Sequence, residues 1–247
     1  IKIDFSIFLQ FEGKFFMKKI KGILFDFDGV IADSEKLWFS SAISTLKKMN
    51  IAYDKSIKQK STIGIISEHL FQTLITDKKY DLSKIMKTYQ QLLKKTFKEH
   101  SPMIYPHLKK FIRSTDLKIG IVSNAHGNYI RNILKKNDLF SYFKGNITSC
   151  TGNIPYKPYK DGYVIGSKKL NLKPHEVLVI EDSDVGIEAA LKAKVKKVLR
   201  HTNNDKNLPV KIKHRVTKLL NYKNFGERFI ELAAMRIIIQ PITTNTA

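Results

Sequence analysis

Short apolar runs and longer amphipathic stretches alternate along most of the chain. Residues 20–25 form a β-rich, almost wholly hydrophobic run that ends at Asp26-Phe27-Asp28-Gly29. Three more runs follow: 118–122 ends at Ser123-Asn124, 177–180 at Glu181-Asp182-Ser183, and 198–199 near Arg200-His201. Apolar runs this short, without polar alternation, predict strands buried on both faces. Between them, 106–116, 127–137, 159–170 and 185–193 carry apolar residues at helical spacing. Strands alternating with helices predict an α/β layer around a parallel sheet. In such sheets a ligand sits beyond the carboxyl ends of the strands, where strand order reverses. Three runs end in groups suited to chemistry: Asp26 and Asp28, Ser123 and Asn124, Glu181 and Asp182.

From about 33 to 100 the pattern changes and no buried-strand run occurs. Asp33 and Ser34 can cap a helix carrying Leu37, Trp38, Ile43, Leu46 and Met49. A second helix is predicted after Ser67, with Leu70, Phe71, Leu74 and Ile75. A third follows Asp81 or Ser83, with Ile85, Met86, Tyr89, Leu92, Leu93 and Phe97. These stripes read as core. A helical insert therefore interrupts the α/β layer after its first strand. Residues 101–106, with Pro102 and Pro106, form the returning linker, because a residue before proline resists helix.

Composition narrows the picture. A chain of 247 residues is long enough to bury a substantial core. Its single cysteine, Cys150, excludes an internal disulfide and a cysteine-based zinc site, and fits a reducing, cytoplasmic setting. Cys150 is expected to be a small buried residue. The net charge of +22 raises the question of nucleic acid. However, 38 of the 44 basic residues are Lys, and they are dispersed along the chain in pairs such as Lys47-Lys48, Lys135-Lys136 and Lys196-Lys197. Arg is the better reader of phosphates and base edges. The charge reads as many solvated faces that attract small anions, with no dedicated nucleic-acid partner. No apolar run is long enough for a membrane span. Residues 1–16 are broken by Lys2, Asp4, Glu12 and Lys14 and make a poor signal peptide. Met17 reads as the natural start, with 1–16 and 236–247 as extensions outside the fold.

The strand ends hold a coherent set of groups. Asp26 can act as a nucleophile or metal ligand, and Asp28, two residues on, can transfer a proton. Two such carboxylates side by side call for a cation. Glu181 and Asp182 can complete an all-oxygen site, which suits Mg²⁺. Ser123 supplies a hydroxyl, and Lys157, between Pro155 and Pro158, supplies a cation. Together these are the parts of a phosphoryl-transfer site.

Asp26-Phe27-Asp28-Gly29-Val30, with Asp33-Ser34 behind it, resembles the first motif of the haloacid dehalogenase superfamily. Ser123-Asn124-Ala125 resembles the second and Lys157-Pro158-Tyr159-Lys160-Asp161-Gly162-Tyr163 the third. Val179-Ile180-Glu181-Asp182-Ser183, with Gly186, Ile187, Ala189 and Ala190, resembles the fourth. The four stand in order, with spacings of 97, 34 and 25 residues between Asp26, Ser123, Lys157 and Asp182. The resemblance covers about 18–200. It implies a Rossmann-like parallel sheet core with an inserted all-helical cap. The core is expected from 17–32 and 101–222, and the cap, similar to that of the β-phosphoglucomutase and phosphoglycolate phosphatase branch, from 33–100.

The resemblance also implies roles. Asp26 attacks phosphorus, and Asp28 protonates the leaving oxygen and then activates water. Mg²⁺ is held by Asp26, the Asp28 main-chain carbonyl and Asp182, with Glu181 as ligand or supporting partner. Ser123, Asn124 and Lys157 hold the phosphoryl group. The expected activity is hydrolysis of a small phosphorylated metabolite, a sugar phosphate or phosphoglycolate-like acid, by a monomer or weak homodimer. A phosphosugar mutase is the enzymatic alternative, and a basic polyanion-binding protein the alternative of another class. Asp28 argues against dehalogenase and phosphonate-cleaving relatives, which lack it. Trp38 stands where the mutase branch places His, no Arg follows Gly64, and Ala32 stands where the family often has Thr. These departures weigh against the mutase. His107, His126 and His175 have no ligand spacing, Asp161 is expected to steady its loop, Lys160 to be solvated, and Asp184 to cap the helix after it.

Overall fold

The structure, a computed structural model, describes residues 20–77, 79–201 and the backbone of 217–218. Both expected terminal extensions, 1–16 and 236–247, lie outside the described residues, as does most of the core segment after His201.

Strand β1 (Gly22–Phe25) lies inside a sheet that has six strands among the described residues. To one side come β4 (Lys118–Ser123) and β5 (Ile147–Ser149). To the other come β6 (Val177–Glu181), β7 (Lys197–Arg200) and β8 (Thr217–Lys218). Every pairing in this sheet is parallel. The chain builds outward from β1 through β4 to β5, then crosses back to β6 on the opposite side of β1. The reversal point thus lies at β1, whose Phe25 pairs with both Ile121 and Ile180. That register brings Asp26 level with Glu181 and one step short of Ser123.

Helices on both faces explain the absence of polar alternation. Ile23, Phe25, Ile121 and Ile180 face a cluster with Leu108, Phe111, Ile130 and Leu134. These come from α4 (Pro106–Ser114) and α5 (Gly127–Lys136). Leu24, Val122 and Val179 face Tyr163, Ile187 and Ala190, from α6 (Asp161–Lys169) and α7 (Asp184–Lys192). Phe25 and Leu24 are wholly buried, one on each face. Each such side chain contributes about 1.5–3 kcal/mol relative to exposure.

The helical insert comprises α1 (Glu35–Lys48), α2 (Ser67–Leu74) and α3 (Leu82–Glu99). It has its own core of Leu46, Phe71, Leu74, Ile85 and Tyr89. Asp81 caps α3 by accepting from Lys84 N at 3.0 Å. The returning segment is more than a linker. β3 (Met103–Ile104) pairs antiparallel with β2 (Ala32–Asp33), so the two passages between sheet and insert form one ribbon.

Two cap assignments differ from expectation. Ser183, not Asp184, caps α7, its Oγ accepting from Gly186 N at 3.1 Å. Asp184 lies in the first turn and pairs with Arg200. Ser34 stands at the start of α1, but its hydroxyl donates to Asp28 Oδ1 instead of capping the helix.

Candidate active site

The carboxyl ends of β1, β4 and β6 meet at one cleft of about 1190 Å³, lined by Asp26, Asp28, Ser123, Asn124, Lys157 and Asp182. Six of the seven side chains expected at the site therefore share one cavity, and the seventh, Glu181, lies fully buried just behind it.

Lys157 ties the groups together. Its Nζ donates to Asp26 Oδ1 at 2.5 Å and to Glu181 Oε1 at 2.6 Å. Its main-chain N–H donates to Asn124 Oδ1 at 2.8 Å, which fixes the loop that carries it. Burial pulls the Lys157 ammonium toward neutrality, but Asp26 and Glu181 outweigh it, and its pKa rises overall. Lys157 is thus a permanent cation here.

Glu181 is saturated. Oε1 accepts from Lys157 and, at 2.8 Å, from Tyr163 Oη. Oε2 accepts from Asp182 N at 3.0 Å, Ser183 N at 3.1 Å and Ser183 Oγ at 3.0 Å. It therefore holds the turn that presents Asp182. Gly29 lies directly opposite Asp182, with φ +79°, and a β-carbon there would overlap the carboxylate. Glycine meets both demands, a left-handed backbone and no side chain.

Electrostatically the site is short of positive charge. Burial, only partly offset by Lys157 and reinforced by Glu181 and Asp28, pushes Asp26 up to about 8. Burial, then Asp26, Glu181 and Glu35, raises Asp182 well above the carboxylate range. Asp26 and Asp182 present oxygens to the cleft with Glu181 behind them, one oxygen of each lying within 4.8 Å of the others. Hard oxygens, a compact cluster and a charge deficit fit a divalent cation of the Mg²⁺ type.

The profile of the "Haloacid dehalogenase-like hydrolase" family matches residues 23–199. The chain belongs to this family. Among its relatives, a phosphorylated carbohydrates phosphatase of Thermotoga maritima is 24% identical over 193 residues, covering 75% of this chain and 88% of the relative. A β-phosphoglucomutase of Bacillus subtilis is 23% identical, covering 69% and 78%. The solved β-phosphoglucomutase of Clostridium difficile superposes with a TM-score of 0.65 at 20% identity, covering 87% of this chain and 99% of that one.

This hydrolase also places at the site residues to which the motifs assigned no role. Tyr163, the last residue of the third motif, holds Glu181. Tyr129, on α5, donates to Asp28 Oδ1 at 2.8 Å. Glu35, in the first turn of α1, lines the cleft. Burial, then Asp28 and Asp26, pushes it up to about 8. Trp38 is more than insert packing, since its Nε1 donates to Asp28 Oδ1 at 3.0 Å. Cys150 is fully buried, as expected. His126 caps α5, its Nδ1 accepting from Asn128 N at 3.3 Å. Among the described residues no helix is long and apolar enough to cross a membrane.

Proposed function

We propose that this hydrolase is a Mg²⁺-dependent phosphatase of a small phosphate monoester, a sugar phosphate or phosphoglycolate-like acid, working through an aspartyl phosphate on Asp26. The observation that carries the reading is the convergence of Asp26, Asp28, Lys157 and Asp182 on one cleft. The names of the relatives, phosphatases of phosphorylated carbohydrates and of phosphoglycolate among them, support the substrate class.

Mg²⁺, held by Asp26, the Asp28 main-chain carbonyl and Asp182, would supply the charge that lets an anionic carboxylate approach an anionic phosphate. An oxygen of Asp26 forms the new bond to phosphorus as the ester P–O bond breaks. Asp28 gives its proton to the departing oxygen. Lys157, Ser123 and the turn at Asn124 neutralise and orient the phosphoryl oxygens. Asp28 then takes a proton from water as the water attacks phosphorus, and Asp26 leaves as a free carboxylate with inorganic phosphate. Glu181 keeps Lys157 and the Asp182 turn in position. The helical insert, which lines the cleft with Trp38, Ile65, Glu68 and Phe97, acts as the cap that closes over the leaving group.

A panel of phosphate esters, assayed with Mg²⁺ and with chelator, tests the reading. Release of inorganic phosphate from several esters, abolished by chelator, is expected. β-Glucose 1-phosphate with a trace of its bisphosphate separates the alternative. Isomer formation with little free phosphate would promote a mutase and reject the phosphatase.

A further inference from the structure

Three hydrogen bonds converge on a single oxygen of Asp28. Ser34 Oγ, from the hinge before α1, donates to Oδ1. Trp38 Nε1, from the insert, donates to it at 3.0 Å, and Tyr129 Oη, from α5 of the core, at 2.8 Å. An indole N–H can only donate. A carbonyl-type oxygen accepts better than a protonated one, so with Trp38 donating and two hydroxyls also directed at it, Oδ1 is the acceptor and a proton is better placed on Oδ2.

The donors are themselves held. The Trp38 and Tyr129 rings meet edge to face with centroids 5.3 Å apart. Phe97 closes the group, 5.0 Å from Trp38 and 4.8 Å from Tyr129, and Phe27 backs Tyr129 at 5.7 Å. Such contacts favour one ring orientation. The two donors are thus oriented before a substrate arrives, so little ordering remains to be done at the moment of reaction.

We infer that Trp38 and Tyr129 are positioning residues for Asp28, which assign its exchangeable proton to Oδ2 and direct that oxygen at the leaving group. The inference rests on the proposed role of Asp28 as proton donor and adds which oxygen acts and what fixes it. Oδ1 stays a hydrogen-bonded acceptor throughout. The proton passes from Oδ2 to the departing ester oxygen as the P–O bond breaks, and one returns to Oδ2 from the attacking water.

Proton donation matters most when the leaving group is strongly basic. An alkyl phosphate needs it, whereas an aryl phosphate with a stabilised phenolate needs it little. The test measures kcat/KM, which covers departure of the leaving group, for glycerol 2-phosphate and p-nitrophenyl phosphate. It uses the full chain with Mg²⁺, as wild type, Tyr129→Phe, Trp38→Phe and Asp28→Asn. General acid catalysis contributes about 10²–10⁴-fold. Asp28→Asn should lose on the order of 10²-fold or more with the alkyl ester and far less with the aryl ester. Tyr129→Phe and Trp38→Phe should show the same selectivity at smaller size, losing about tenfold more with the alkyl than with the aryl ester. Equal losses on both esters, or none, in Tyr129→Phe and Trp38→Phe beside a selective Asp28→Asn would overturn the positioning role while leaving the phosphatase reading intact. An unselective Asp28→Asn would remove the proton-donor reading, and this inference with it. Tyr129→Phe keeps the ring and deletes one hydroxyl, so its selectivity is readable even if Trp38→Phe disturbs the insert.

Discussion

Lys157 Nζ lies 2.5 Å from Asp26 Oδ1, with both side chains at most one-tenth exposed. The same ammonium bonds Glu181 Oε1. Removing it would leave two buried carboxylates facing each other. Loss of one partner from a buried ion pair costs about 3–5 kcal/mol. For a chain of this length that corresponds to a fall in Tm of roughly 6–20 °C. Lys157→Met is therefore expected to melt well below wild type in chelator, and to gain more than wild type from added Mg²⁺, because the cation supplies the missing charge. Thermal melts with and without metal check this, and a Lys157→Met melt indistinguishable from wild type would remove the pair from its structural role.

Asp26→Asn keeps the size of the side chain and its place at the end of β1 but removes the charge proposed to attack phosphorus. Turnover should fall at least about a thousandfold, over ~4 kcal/mol of barrier, while the circular dichroism spectrum stays that of wild type. Near-normal phosphate release by a correctly folded variant would strike Asp26 from the mechanism.

Glu35 is expected to make the metal-free chain sensitive to pH. Burial and the neighbouring Asp28 and Asp26 raise it from 4.5 to about 8. Because the folded value is the higher, the native chain binds more protons than the unfolded one between those limits. The contribution is full below about 4.5 and is lost as pH rises through about 8. Glu35→Gln removes this titration. In chelator, wild type should therefore lose Tm relative to Glu35→Gln as pH rises across that window. Taking the difference between the two curves cancels the titrations that Glu35 does not influence, and the relaxation of Asp182, which Glu35 helps to raise, adds to the difference with the same sign. Parallel curves would show that Glu35 does not titrate this way.

The strand ends explain why so much of the site was readable. Asp26, Ser123 and Glu181 each terminate an apolar run, and parallel pairing at β1 brings such ends together whatever lies between. The helices of the insert were also readable, because Phe71 and Leu74 on α2, and Ile85 and Tyr89 on α3, recur at helical spacing. What escaped depends on approach through space. Tyr129 and Asp28 are 101 residues apart, and nothing in the helical stripe of α5 distinguishes a tyrosine that reaches Asp28 from one at the surface. β3 spans two residues and β5 three, too short to carry a period. Ser34 has the chemistry of a helix cap, but its hydroxyl is turned toward Asp28 and accepts from no N–H of α1. Which way such a hydroxyl turns is settled by tertiary geometry.

Gly29 and Gly64 offer a way to tell the proposed metal side of the cleft from its proposed substrate side. Both have left-handed backbones, φ +79° and +77°, so an alanine at either carries a similar strain of about 1–3 kcal/mol. Their neighbours differ. A methyl on Gly29 would overlap Asp182 Oδ2, and the residue cannot retreat, since its N–H donates to Ala32 O at 2.8 Å and its carbonyl faces His201 Nδ1 at 2.8 Å. Asp182 must then move, and its grip on the cation should weaken. A methyl on Gly64 would lie 2.5 Å from Ser183 Cβ and 3.0 Å from Val185 Cγ2, where the insert touches the turn after β6. Here the insert must lift while Asp182 keeps its place. Gly29→Ala should accordingly need on the order of tenfold more Mg²⁺ for half-maximal activity, about 1.4 kcal/mol of lost binding. Gly64→Ala should keep its Mg²⁺ requirement and raise KM for the ester. Titrating Mg²⁺ at saturating ester, and ester at saturating Mg²⁺, reads the two effects independently. If both variants shift the same parameter by the same factor, the strain is shared through the whole cleft, and the division between a metal side at Gly29 and a substrate side at Gly64 is wrong.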